Sequence, residues 1–232
     1  MAKVKVKGTI VSNDQKWIYD WFEMDATSPK DISNVIDQID SNEDLEVEIN
    51  SGGGSVTDGS EIYTALKNYK GKVNVKIVGL AASAASVIAM AGDNVQISPT
   101  AQIMIHNVSS VSRGDYRDMQ HEAEVLKNYN TSIANAYMLK TGLSQEELLG
   151  YMNEEKWFNA QEAKQLKFVD EIMFDEGNQL VASIHNGMVL PPAIINKIRN
   201  FVKSEQPQNT DEKRLYQARL NLLKLKGENV HE

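Results

Sequence analysis

The sequence contains no cysteine. That absence excludes disulfides, thiolate nucleophiles and Cys-ligated metals, and it leaves Ser, Thr or Lys for any covalent catalysis. Basic residues are in deficit as well, with 24 Lys and Arg against 32 Asp and Glu and a formal net charge of −8. Nucleic acid and anionic membranes are bound chiefly through excess Lys and Arg, so neither is an expected partner. A long apolar run is also missing. The least polar stretch, residues 77–92, is rich in Ala, Gly and Ser and falls short of the roughly 20 apolar residues a membrane helix requires. The opening MAKVKVKGTIV alternates apolar and charged positions where a signal peptide would carry a continuous apolar core, so a cytoplasmic location is expected. No group of His, Asp and Glu has metal-ligand spacing, and neither a metal nor a cofactor is expected.

What is present alternates strand and helix patterns. Val4, Val6 and Ile10 have period two and predict a strand, and Ser28 and Pro29 open a helix whose apolar face is Ile32, Val35, Ile36 and Ile39. Residues 45–49 alternate again and run into Asn50 and three glycines. A helix over residues 55–69 follows, then a strand over 73–78, a small-residue helix over 81–91, and short strands at 94–97 and 102–105. Residues 115–140 predict a long polar-rich helix closed by Thr141 and Gly142. A helix from Ser144, capped with Glu147 three residues on, precedes an aromatic pair, a helix from Asn159 and a last strand at 168–174. Strands separated by helices of this length imply a mainly parallel sheet, and the class is α/β. After Asp175 the composition shifts. Residues 1–175 are expected as one domain and 176–232 as an extension, in which a polar linker over 203–213 leads to an amphipathic helix over 211–226.

The glycine-rich turn invites a phosphate-binding reading, and it fails. Gly54 and Gly59 have half the spacing of a P-loop, but Ser60 stands where its Lys would be, and Gly52 with Gly54 would need a third glycine at Thr57. Successive glycines also let a backbone turn its N–H groups into a cavity, which suits an oxyanion hole; a flexible turn is the plain alternative.

Ser83, in GLAASAAS over residues 79–86, follows a strand and precedes a helix, at the sheet edge where parallel sheets bind substrates. There is no G-x-S-x-G elbow, and taken alone Ser83 and Ser86 both read as helix-packing serines. A serine nucleophile needs a base. Of four histidines, His121 sits on the polar long helix and His185 and His231 lie in the extension, whereas His106 ends a strand at the same kind of edge as Ser83. A carboxylate to orient the imidazole is offered by Glu154 or Glu155, just ahead of Trp157 and Phe158.

Four segments carry a resemblance: NSGGGSVTDG at 50–59, GLAASA at 79–84, MIHN at 104–107 and WFNAQEA at 157–163. In this order and spacing they resemble ClpP, the self-compartmentalising serine peptidase family, over residues 8–174. The resemblance implies a ClpP/crotonase-like fold of repeated strand-strand-helix (ββα) units, with the helix over 115–140 as a handle joining two rings. It implies Ser83 as nucleophile, His106 as base and the amides of Gly54 and Ala84 as oxyanion donors. Glu155 takes the position of the third triad residue, where the family generally has Asp, and Gly53, Val56 and Asn107 would lie along the peptide. Peptide or protein substrates and a homo-oligomeric ring, a heptamer or double heptamer, are implied too.

Three departures bear on biology. Gly52 stands where the family has Pro, the segment of the housekeeping enzyme that engages an unfolding ATPase has no recognisable counterpart before Val6, and the part beyond Asp175 is foreign to it. The last two resemble prophage-encoded relatives thought to process capsid or scaffold proteins, which leaves the ATPase partnership open. A Clp subunit of general degradation, a crotonase-type acyl-CoA enzyme and an inactive assembly protein are the alternatives.

Overall fold

The computed structural model describes residues 2–40 and 42–175. The expectations for residues 176–232, including the linker, the amphipathic helix, His185 and His231, lie outside the described residues. Among the described residues, eight strands and seven helices run in the order β1 (Ala2–Ile10), α1 (Lys16–Trp21), β2 (Ala26–Thr27), α2 (Pro29–Ile36), β3 (Leu45–Gly54), α3 (Val56–Asn68), β4 (Val73–Ala82), α4 (Ala84–Ala89), β5 (Asn94–Ile97), β6 (Gln102–Ile105), α5 (Tyr116–Thr141), α6 (Gln145–Asn153), β7 (Lys156–Phe158), α7 (Ala160–Gln165) and β8 (Glu171–Ile172). One sheet contains all the strands. Its main path is β2-β1-β3-β4-β5-β8, parallel throughout, and β6 branches from β4 to carry β7 antiparallel. The α/β class with a mainly parallel sheet is thus observed.

Strand alternation divides the sheet into two unlike faces. Val4, Val6, Leu45, Val47, Ile49, Val73, Val75 and Ile77 point into one core with Ile32 of α2 and with Ile62 and Leu66 of α3. Parallel strands are usually apolar on both sides. Here the other side carries charge: Glu46 lies 3.1 Å from the Lys3 ammonium and 2.6 Å from that of Lys76, and Lys3 also meets Glu48 at 2.6 Å. No helix among the described residues is long and apolar enough to cross a membrane.

Local caps explain where helices begin. Ser28 and Asp31 form a reciprocal capping box with Pro29 at the first position of α2, and Asp115 with Asp118 does the same for α5. Ser144 accepts from the Glu147 N–H, which is one half of the box expected there. Gly142 closes α5 at φ 76°, a left-handed conformation that glycine takes without a Cβ penalty.

Several elements differ from the sequence reading. β3 continues through the glycines, pairing Gly53 and Gly54 with Thr9 and Ile10. β4 runs four residues past Val78, because Leu80, Ala81 and Ala82 pair with Gln102, Ile103 and Met104 of β6; α4 therefore begins at Ala84, three residues later than expected. The last strand is only Glu171–Ile172, where its pairing with β5 ends. Helix α1 and strand β2 were not foreseen.

Candidate active site

Ser83 occupies the single residue between β4 and α4. Its backbone is at φ 54° and ψ −127°, a conformation that L-residues avoid and that costs about 1–3 kcal/mol. The surroundings enforce it. The Ser83 N–H donates to the Met104 carbonyl of β6 at 2.9 Å, and its carbonyl accepts from the N–H of Ser86 at 2.9 Å and of Val87 at 3.4 Å. The chain thus makes a sharp strand-to-helix elbow without the flanking glycines of the G-x-S-x-G pattern. The room comes from elsewhere. A Cβ on Gly53, itself at φ +89°, would stand 2.7 Å from the Ser83 Cβ and 2.7 Å from the Ala82 carbonyl, and one on Gly59 would stand 2.9 Å from the Ala84 Cβ. Glycine at 53 lets β3 pass against the elbow, and glycine at 59 lets α3 close on the wholly buried α4.

His106 follows the last residue of β6. Its Nε2 lies 2.7 Å from Ser83 Oγ, so the hydroxyl and imidazole singled out in the sequence are brought into direct hydrogen-bond contact. The cause is the β4–β6 ladder, which sets Ala82 beside Met104 and so brings Ser83, one residue past Ala82, and His106, two residues past Met104, to one edge.

A cavity of about 230 Å³ opens in front of this pair. Gly54, Val56 and Ala84 line it with Ser83 and His106, as do Val87, Met104, Val108, Ile133 and Tyr137. Ala84 is the first residue of α4, where an N–H has no helical carbonyl to donate to. Gly53 lies beneath the elbow and donates its N–H to Ser51 Oγ at 3.1 Å. Asn107 stands beside the site: its Nδ2 donates to Asn153 Oδ1 at 2.8 Å, while its Oδ1 is buried without a partner. Ile133 and Tyr137 were not read as site residues. Their spacing of four on α5 was the available signal, since it puts both on one helix face.

The carboxylate is placed differently. In the antiparallel β6–β7 pair, Ile105 stands opposite Lys156, so one step further brings His106 level with Glu155. The two backbones are neighbours, and the Asn107 N–H donates to the Met152 carbonyl at 3.2 Å. Glu155 itself is exposed at φ 50°, and neither its carboxylate nor that of the exposed Glu154 is hydrogen-bonded or ion-paired to His106. The structure therefore joins two of the three side chains and sets the third alongside. His121 is exposed on α5, and among the described residues no three His, Cys, Asp or Glu side chains are grouped to hold a metal.

Residues 25–176 match the model of the Clp protease family. The chain is 34% identical over 133 residues to the ATP-dependent Clp protease proteolytic subunit of Pleurastrum terricola, covering 56% of this chain and 68% of that protein. To the subunit of the same name in Deinococcus radiodurans it is 30% identical over 141 residues, covering 60% and 69% of the two chains. To the chloroplastic proteolytic subunit 3 of Arabidopsis thaliana the identity is 28% over 159 residues, covering 68% and 52%. With the matched region spanning β2 to the end of the described fold and holding the elbow, the histidine and the cavity, the chain belongs to the Clp protease family, a family of peptide-bond hydrolases.

Proposed function

We propose that the protein is a serine endopeptidase of the ClpP type. The observation that carries this reading is the 2.7 Å contact between Ser83 Oγ and His106 Nε2 at the mouth of a cavity. In the reaction, Ser83 Oγ attacks the peptide carbonyl carbon as its proton passes to Nε2. The N–H groups of Gly54 and Ala84 donate to the oxyanion that forms. The imidazolium returns the proton to the leaving amine, and water then releases the acyl group by the same steps in reverse. Glu155 is the third member. Rotation of its side chain from solvent brings the carboxylate to Nδ1, and catalytic hydrogen bonds commonly tighten in this way when substrate binds. Gly53, Val56 and Asn107 flank the peptide.

The subunit acts within a heptameric or double-heptameric ring in the cytoplasm, with the ββα units of the ClpP/crotonase type and with α5 as the handle between rings. Its task is limited processing of capsid or scaffold proteins in a phage or prophage. Support comes from the residues beyond the family match at position 176. The second reading is ATPase-assisted degradation, favoured by the relatives being ATP-dependent Clp protease proteolytic subunits.

Reaction with a fluorophosphonate, with the adduct mapped by mass spectrometry, tests the assignment. The wild type is expected to be labelled at Ser83, and Ser83→Ala to lose the adduct together with peptidase activity by at least about 10³-fold. Turnover of acyl-CoA thioesters without labelling would favour a crotonase-type enzyme instead, and a folded ring with neither reaction would favour an assembly protein. Degradation of a folded substrate only when an unfolding ATPase and ATP are supplied would favour the second reading.

A further inference from the structure

One turn beyond Ser83, α4 carries a second serine that the acyl-transfer scheme leaves unused. Ser86 is fully buried. Its Oγ lies 2.6 Å from the Ser83 carbonyl oxygen and 2.8 Å from the phenol oxygen of Tyr137 on α5. A hydroxyl has one proton and a carbonyl only accepts, so the proton of Ser86 goes to the Ser83 carbonyl and Tyr137 donates to Ser86. The direction is therefore fixed: Tyr137 O–H to Ser86 O–H to Ser83 C=O, a chain in which each bond polarises the next. Burial pushes the Tyr137 phenol above its usual range, which keeps it a donor. Its ring is held edge-on by Phe168, with centroids 5.8 Å apart.

A serine hydroxyl bonded to a carbonyl three residues back is ordinary helix chemistry. A phenol from another helix locking that hydroxyl is not. The two N–H bonds to the Ser83 carbonyl come with any helix, whereas the hydroxyl bond is the shortest of the three and depends on serine at position 86. If the elbow relaxed toward negative φ, this carbonyl would swing away and carry the direction of the Ser83 side chain with it.

We propose that Ser86 and Tyr137 are positioning residues: by gripping the Ser83 carbonyl they hold the elbow in the one conformation that aims Oγ at His106. This rests on the reading of Ser83 as the nucleophile. The test compares fluorophosphonate labelling rates and steady-state peptide cleavage for wild type, Ser86→Ala, Tyr137→Phe and the double variant, with circular dichroism to establish folding. Ser86→Ala is expected to slow labelling and kcat on the order of tenfold to a hundredfold, because misplacement within a reacting pair is costly. Its KM stays within about twofold, since Ser86 does not line the cavity. Tyr137→Phe loses about threefold to fivefold, and the double variant is no slower than Ser86→Ala, because the phenol acts only through Ser86. Wild-type rates in Ser86→Ala, or losses that multiply in the double variant, overturn the proposal. Should Ser86→Ala not fold, an unimpaired Tyr137→Phe overturns it. A wild type that is not labelled at Ser83 removes the nucleophile assignment and this inference together, whereas a labelled wild type beside an unimpaired Ser86→Ala removes the positioning role alone.

Discussion

Two turns flank the site with a positive φ at a non-glycine residue, Ser83 at 54° and Glu155 at 50°, and they are built in opposite ways. The Ser83 turn is gripped by a strand on one side, a helix on the other and a glycine beneath, and its side chain is bonded. At the Glu155 turn the N–H of Glu155 donates to the Met152 carbonyl at 3.2 Å, and the side chain stands in solvent. A positive φ thus marks a fixed part in one place and an exposed one in the other. Hydroxyl and imidazole are set by the sheet, and the carboxylate arm retains freedom of rotation.

The largest expected effect attacks the fixed turn. Gly53→Ala would drive a methyl to 2.7 Å from the Ser83 Cβ at a φ of +89°. Peptide cleavage is expected to fall about 100-fold, with about 2 kcal/mol of stability lost, as measured by initial rates and denaturant melts. Wild-type kinetics in this variant would break the comparison, because the elbow would then not need its close neighbour. The next effect probes the adjustable turn. Glu155→Gln is expected to lower kcat/KM about tenfold, while Glu155→Asp, shorter by one methylene, stays within about threefold of wild type. Equal losses in Glu155→Gln and Glu154→Gln would show that the carboxylate role is shared between the pair.

The smallest effect lies far from both turns. The hydrogen bonds from Lys76 and then Lys3 hold the Glu46 carboxylate below its usual value of 4.5. A carboxylate depressed on folding contributes stability that is complete above that value and is lost as the pH falls through its folded one. Glu46→Gln should therefore lower stability by up to about 1 kcal/mol at neutral pH, leave activity unchanged, and approach the wild type in melts as the pH is lowered progressively below 4.5.

What the sequence made legible follows the same division. The β1, β3 and β4 alternation, the helix starts at Ser28 and Asp115, and Ser83 and His106 at strand ends were all readable, because each is local or marks a sheet edge. The extension of β4 through Leu80, Ala81 and Ala82 was not. Alanine favours a helix in isolation, and only pairing with β6 makes those residues a strand. Helix α1 escaped notice because it is only six residues long, so Trp17, Ile18, Trp21 and Phe22 recur at helical spacing for a single step, and β2 has only two residues. The bond between Ser86 and Tyr137 joins residues 51 positions apart, and nothing in either neighbourhood announces it.

The ladder that seats Ala82 against Met104 has one further consequence. Since side chains alternate along a strand, a slip of β6 by one residue would turn His106 to the wrong side of the sheet. The spacing of hydroxyl and imidazole is thus a property of core pairing rather than of any flexible loop, and the enzyme has no way to lose its reactive centre gradually. On heating, loss of catalysis and collapse of the sheet should be a single event, with the same midpoint whichever is followed.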